Sequence, residues 1–198
     1  FESSGTTGTN NSKHRLYDQE LYKIISEKTF EAEYGRLQDY HILALLPSYL
    51  ERNNSSLVYM VKHFIEQSNS PFSGFYLHDT DQLRHQLTLC LQDNTRKTLL
   101  LGVTFALLDL AESDVSFLRD RSYHESLIVM ETGGMKGKRK EMIREEVHQI
   151  LTAAFGVESI HSEYGMTELI SQGYSFGKGI FRPGPTMKIT LRDINDPL

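Results

Sequence analysis

The sequence predicts an α/β fold, a mostly parallel sheet with helices on its faces, and three observations predict it. Short apolar runs with strand character alternate with longer stretches of helical period, the pattern of a parallel sheet with crossover helices. The run Ser126 to Met130 (SLIVM) leads into a glycine pair ahead of the longest helical stretch, as a strand-to-helix turn should. Hydrophobic residues make up 39% of the 198 positions and charged residues 24%, enough apolar surface for a core and too much for wholesale disorder.

Taken in order, the Ser/Thr/Gly/Asn-rich stretch Ser3 to Ser12 reads as a loop, because such residues bond locally and permit unusual backbone. Asp18 to Thr29 reads as a helix with Leu21, Ile24 and Ile25 as its apolar face. Tyr40 to Leu46 is a buried strand closed by Pro47, and Ser55-Ser56 cap a helix through Gln67 with Val58, Val61, Phe64 and Ile65 on one side. Phe75 to Leu77 is a short strand, Thr80 to Gln92 a helix, and Thr98 to Leu108 a buried strand with room to run into a helix. Met142 to Phe155 has the clearest helical stripe (Ile143, Val147, Ile150, Leu151, Ala154), and Gly156 stops it. Val157 to Ile160 begins the next strand. In such an architecture ligands sit beyond the carboxyl ends of the strands.

Composition narrows the function. Twenty-one Lys+Arg against 26 Asp+Glu give a net charge of -5, which argues against a nucleic-acid binder and obliges any polyanionic ligand to find local donors. The apolar run around Leu99 to Leu108 is far short of the ~20 apolar residues of a membrane span. A single cysteine, Cys90, excludes an internal disulfide and a Cys-based zinc site, and with no signal segment the expectation is a cytoplasmic protein. Phe1 at one end and the strand-like run into Pro197-Leu198 at the other lead us to expect a piece of a longer chain.

Three motifs carry chemistry. Ser3-Ser4-Gly5-Thr6-Thr7-Gly8 combines permissive backbone with uncharged donors, as a phosphate-binding loop requires, although no GxxxxGK[ST] Walker loop is present. Glu131-Thr132-Gly133-Gly134-Met135-Lys136-Gly137 follows a strand, where a glycine turn opens the sheet edge to a flat ligand or a phosphate. Glu163-Tyr164-Gly165-Met166-Thr167-Glu168 offers an aromatic face, a permissive glycine, a hydroxyl and a carboxylate on one loop.

As a set, in this order, these motifs resemble those of the adenylate-forming enzymes, and within them most resemble the acyl-protein synthetases of bacterial bioluminescence. That subgroup is similar in its SSGTTG loop followed by Ser-x-His (here Ser12-Lys13-His14), in ETGGMKG before a charged helix, and in SEYGMTEL. Phenylacetate-CoA ligases are next in likeness. The resemblance runs from residue 3 to about Asp193 and implies one adenylation domain over residues 1–198, without the family's mobile C-terminal domain. It implies that Ser4, Gly5, Thr6, Thr7 and Gly8 cradle the phosphates of ATP, and that Gly133 and Gly134 lie along the adenine with Tyr164 stacked on it. Gly165 and Thr167 would line the nucleotide, Thr167 would donate to the α-phosphate, and Glu168 would hold Mg2+. The resemblance implies as partners ATP, a carboxylic acid of the fatty-acid class, an acceptor thiol on a protein cysteine or coenzyme A, and an acyl reductase or transferase. Thr9-Asn10-Asn11 stand where many relatives have Pro-Lys, so that Lys13 and His14 are the nearest cations.

Other readings are weighed against this one. Cys90, inside a helical run, reads as a buried structural thiol and is not nominated as the acyl carrier. Gly173-Tyr174-Ser175-Phe176-Gly177 satisfies the GxSxG of a hydrolase elbow, but no helix can follow it through Pro183 and Pro185. All eight histidines precede Ser175, against that fold's order, and His41, His63, His78, His85 and His124 show no metal spacing. A relative that binds nucleotide or a reductase without turnover is the non-enzymatic alternative. Lys136, Lys138, Arg139 and Lys140 are expected at the first turn of the helix ending at Phe155, against its dipole, where Glu141, Glu145 and Glu146 offset them and the cluster receives an anion.

Overall fold

All six residues of Tyr40–Leu45 are buried, the mark of a parallel strand covered on both faces, and they form β1. The computed structural model describes residues 1–2, 13–46, 54–76, 79–113, 115–119, 125–133, 140–191 and 193. Beside β1 lie β2 (Gly74–Phe75) and β3 (Lys97–Val103), followed outward by β4 (Leu127–Thr132), β5 (His161–Tyr164), β6 (Gly173–Ser175) and β7 (Phe181–Pro183). Among the described residues these make one seven-stranded sheet in the order β2-β1-β3-β4-β5-β6-β7. The pairs from β2 to β5 are parallel, while β6 and β7 return antiparallel. The fold is therefore α/β with a mostly parallel sheet, as its alternating pattern implies.

Local chemistry starts and stops the helices. Helix α1 (Gln19–Tyr34) begins where the Asp18 carboxylate accepts from the amides of Glu20 and Leu21. Ser55 caps α2 (Ser56–Ser68) through the Val58 amide, and Asp79 caps α3 (Thr80–Gln92) through that of Gln82. The apolar run Lys97 to Leu108 divides at Thr104, where β3 passes directly into α4 (Thr104–Glu112). Helix α5 (Arg144–Phe155) ends at Gly156, whose φ of 68° is the left-handed cap that glycine adopts without strain.

Four expectations are corrected. Leu21 and Ile24 do not face the core: they are 46% and 56% exposed, and α1 instead buries Tyr22, Ser26, Thr29 and Phe30. Val157 to Ile160 is a connection, since β5 starts only at His161. Helix α5 starts at Arg144 with Glu145 and Glu146 in its first turn, as a helix dipole favours. Lys140 thus precedes the helix and is not in its first turn, and Lys136, Lys138 and Arg139 lie outside the described residues. Ile143 and Ile150 are exposed too, leaving Val147, Leu151 and Phe155 as the buried stripe of α5.

The two faces of the sheet are covered differently near β5. Phe30 of α1, fully buried, meets the rings of Tyr34, Tyr40, Phe64 and Tyr174 at centroid distances of 4.8, 5.6, 5.2 and 6.0 Å. On the opposite face α4 and α5 pack against one another and against the β3–β4 region. Among the described residues no helix is long and apolar enough to cross a membrane.

Phe30→Ala should lower stability by about 3–5 kcal/mol, because it leaves a cavity under four aromatic rings. Leu21→Ala, on the same helix, should change it by less than about 0.5 kcal/mol. Urea unfolding of the two variants checks the helix face directly, and equal losses would contradict it.

Candidate functional site

Parallel pairing sets the site. Thr132, the last residue of β4, lies opposite Glu163, the penultimate residue of β5. Gly133 and Tyr164 therefore leave the sheet side by side at its carboxyl edge. The second and third sequence motifs become neighbours there, although about thirty residues separate them along a chain whose βα connection has an ordinary span. Gly133 has φ of 71°, a turn conformation that a residue with a Cβ rarely adopts.

Alternation along the strands sends the carboxylates of this edge to opposite faces. Glu131, opposite Ser162 in the ladder, faces α4 and α5 and is only 6% exposed. The Thr104 hydroxyl, at the first position of α4, lies 3.0 Å from Glu131 Oε2 and 2.7 Å from the Gly133 carbonyl, which it reaches as donor. Arg144 Nε and His148 Nε2, both from α5, approach Glu131 Oε1 at 3.7 Å. Burial by itself would raise the Glu131 carboxyl. The polar groups of His148, Ser162 and Thr104, with the Arg144 guanidinium, outweigh it and hold the group below the ordinary carboxylate value. This carboxylate stays ionised and anchors the base of the glycine turn.

On the α1 face, Glu163 is 7% exposed, and the Thr132 hydroxyl donates to its Oε2. A Cβ built on Gly165 would fall 2.7 Å from Glu163 Oε1, so a side chain there would displace the Glu163 carboxyl. Desolvation pushes the Glu163 carboxyl up to about 7, against the pull of the Thr132 hydrogen bond and with the Glu131 charge adding to the rise.

The remaining candidate residues separate by exposure. Tyr164 is 43% exposed, and its ring meets Phe181 of β7 edge-on at 6.0 Å. Phe181 also carries the Arg144 guanidinium 5.0 Å above its face, so one ring braces both the tyrosine and the cation beside Glu131. Thr167 is half-buried in the following turn, closed by the Leu169 amide on the Met166 carbonyl, and Glu168 is exposed. Ser4, Gly5, Thr6, Thr7, Gly8 and Gly134 lie outside the described residues. The residues flanking the first loop do come together: Glu2 and Lys13 form an antiparallel bridge, and the His14 amide donates to the Phe1 carbonyl at 2.8 Å. Phe1 packs on Tyr22 of α1, and Tyr22 accepts from Gln172 Nε2 at 3.3 Å, close by Gly165.

Sequence reasoning assigned no role to Thr104, Glu131, Arg144, His148, Glu163, Gln172 or Phe181. A signal was present for the two glutamates, which stand as charges at the ends of apolar or small-residue strand runs. The others come from distant segments and carry no local mark.

The rival constellations have other uses. Ser175 is fully buried at the end of β6, its hydroxyl turned onto the Gly177 carbonyl at 3.0 Å, with a turn and no helix after it. A Ser–His–Asp arrangement does occur at the amino end of β1: His41 Nδ1 lies 2.7 Å from Ser70 Oγ, and Nε2 lies 3.0 Å from Asp93 Oδ2. His41 is 1% exposed, which denies a substrate access to its ring, and the network ties two loops to the strand. Cys90 is fully buried, and burial pushes its thiol up to about 12, so it is no nucleophile at neutral pH. Comparison of the chain with protein families, with curated proteins and with solved structures finds no match.

Thr104→Val should cost about 1–3 kcal/mol at neutral pH, since it removes the single hydroxyl proton that the Glu131 carboxylate and the Gly133 carbonyl share, whereas Thr104→Ser should restore most of it. Glu131 is depressed in the folded state, so the stability it contributes is present above the ordinary carboxylate value and is lost as pH falls through its folded value. The deficit of the valine variant should accordingly shrink in acid, and denaturation at several pH values checks this.

Proposed function

We propose that the chain is an adenylation domain of the adenylate-forming type, and that the intact protein activates a carboxylic acid as an acyl-adenylate before passing it to a thiol. The observation that carries this reading is the register of β4 on β5. It sets the glycine turn and the Tyr164–Glu168 loop side by side at the carboxyl edge of a parallel sheet, where such sheets bind ligands. Two motifs that resemble the family's nucleotide-binding elements are thereby brought to one place.

The residues suit ATP. A half-exposed tyrosine ring close to Gly133 offers adenine a stacking face. In a protein of charge -5, the Thr167 hydroxyl supplies a donor without needing a cation nearby. Mg2+ also fits: it takes one or two carboxylates with phosphate and water oxygens, and Glu168 presents an exposed carboxylate three residues beyond Gly165. When bound, the ion would neutralise phosphate charge. In the reaction, a carboxylate oxygen of the substrate forms a bond to the α-phosphorus of ATP, and the bond to pyrophosphate breaks. Thr167 would donate to the α-phosphate oxygens as charge gathers on them, while Tyr164 and the Gly133 turn hold the base. A fatty acid as substrate, with a protein cysteine or coenzyme A as acceptor, follows from the likeness to the acyl-protein synthetases. A phenylacetate-CoA ligase type of activity is the second form of the same reading.

Pyrophosphate exchange by the intact protein across a panel of carboxylic acids tests the reaction. Exchange with at least one acid is expected, and exchange with none, alongside turnover of an ester, would overturn the reading. In the same assay Thr167→Val should raise the adenylation barrier by about 3 kcal/mol. Glu168→Gln should act mainly by raising the magnesium needed. Rates within about threefold of wild type for both, at limiting magnesium, would exclude these roles; threefold is well under the tenfold that 1.36 kcal/mol represents.

Stacking makes a separate demand on shape. Tyr164→Phe should leave ATP affinity nearly unchanged, and Tyr164→Ala should lose roughly 1–3 kcal/mol of it. Titration calorimetry separates the two, and a large loss in the phenylalanine variant would transfer the role from the ring to the hydroxyl.

A further inference from the structure

Glu163 is a buried carboxyl that the proposed reaction does not use, yet it touches both halves of the candidate site. Oε2 accepts from Thr132, the residue before the Gly133 turn, and Oε1 fills the space beneath Gly165. We propose that Glu163 is a positioning residue whose proton decides how the Gly133 turn and the Tyr164–Glu168 loop are held against one another, and so how strongly this edge receives an anion. The anion-binding part rests on the nucleotide reading; the positioning part rests on the geometry alone.

The surroundings explain why one proton matters. Among the described residues, the titratable groups around Glu163 are Glu131 on β4, Tyr22 on α1 and Tyr174 on β6, where Tyr174 pairs with Glu163 in the ladder. Burial raises both phenols far above neutrality, so each stays neutral, while Glu131 is held ionised. The only charge that bears on Glu163 from these groups is therefore negative. Gln172, whose Cγ would lie 3.8 Å from a Cβ on Gly165, has a buried Oε1 without a hydrogen-bond partner among the described residues. The Tyr174 hydroxyl is likewise unpaired there. A neutral carboxyl suits this enclosure, and as an acid it adds a donor among unpaired oxygens. Ionisation near pH 7 replaces it with a second buried negative charge beside Glu131. The carboxylate then repels Glu131 on one side and any anion at the loop on the other.

The sign follows from linkage. A carboxyl raised in the folded state favours folding below its ordinary value, and that contribution is lost as pH rises through about 7. Anion affinity at the loop should fall over the same interval.

The test has two arms. In the first, amide NMR signals of Gly133 and Gly165 are followed against pH in the wild-type chain, in Glu163→Gln, whose side chain imitates the protonated acid, and in Thr132→Val. Both signals should shift with one midpoint near 7 in the wild type and stay flat across that range in Glu163→Gln. In Thr132→Val the midpoint should move upward, because the hydroxyl that favours the ionised form is gone. Signals without such a midpoint, or with the same midpoint in Glu163→Gln, would overturn the proposal, and Thr132→Val tests it even if the glutamine variant folds poorly. In the second arm, a sulfamoyl analogue of an acyl-adenylate, which does not itself titrate near neutrality, is bound at about pH 6 and about pH 8. Wild-type affinity should drop about fivefold between them, because a negative charge develops beneath the loop that would receive the anion, and Glu163→Gln should show no drop. An equal pH dependence in both proteins would overturn the anion-binding part. Analogue that binds neither protein at either pH, with the amide titration present, would sink the nucleotide reading and leave Glu163 confirmed as the device that positions the loop.

Discussion

Two carboxylates are buried at neighbouring strand ends, and the pleat of the sheet drives them to opposite faces. Most features of the candidate site follow from how each is accommodated. Glu131 meets a hydroxyl from the start of α4 and two basic side chains from α5, and it remains charged. Glu163 has the Thr132 hydroxyl and otherwise faces phenols and an amide, and it retains its proton toward neutrality. A buried charge without compensating donors is costly, so each glutamate takes the form its neighbours allow. Each loop begins two residues beyond its glutamate, so the two solutions bear on Gly133, whose carbonyl shares the Thr104 hydroxyl with Glu131, and on Gly165, beneath which the Glu163 carboxyl lies.

The antiparallel return of β6 and β7 completes the arrangement. It carries Phe181 to the face that holds Arg144 and Tyr164, so an aromatic ring links the helix that neutralises Glu131 to the tyrosine proposed to stack on a base. On the other face the same return delivers Tyr174 beneath Phe30 and Tyr34, and Arg182 to Glu33 of α1. Helix α1 is clamped over the polar interior beside Glu163 by contacts made on both sides of that interior. Farther down β5, His161 is held to about 4 by burial and meets the Tyr34 hydroxyl at 3.0 Å. A histidine depressed in the folded state costs stability as pH falls from its ordinary value toward 4, so the lower part of this layer loosens in acid while the region around Glu163 gains.

Some of this was legible in the residues and some was not. Strands β1, β3 and β4 announce themselves as apolar runs, and α3 matches its expected limits because Asp79 caps it and the pattern ends at Gln92. The face of α1 was misread for a physical reason. That helix covers the polar edge of the sheet, so it buries Ser26 and Thr29 together with Tyr22 and Phe30, and it leaves Leu21 and Ile24 in solvent. Hydrophobic periodicity locates a helix face only when what lies beneath is apolar. The start of β5 was misplaced because Val157 and Ile160 are buried in the connection, where burial rather than pairing explains the apolar residues. Of the candidate site, the exposed residues Tyr164 and Glu168 stood out by type, but the carboxyl that supports their loop did not.

By itself the sequence determined the α/β class, the positions of most helices through their caps and terminal glycine, and the breaks in the chain at Gly133 and Gly165. These depend on local backbone chemistry and on the alternation of period, which a linear chain displays in full. Only the tertiary structure decided that β4 and β5 are neighbours in this register, that Glu131 and Glu163 are buried back to back, and that one carboxyl is held below its ordinary value while the other is raised. Such outcomes depend on which donors from distant segments reach each carboxyl once water is excluded. Desolvation and pairing act through space, and the order of residues along the chain contains neither.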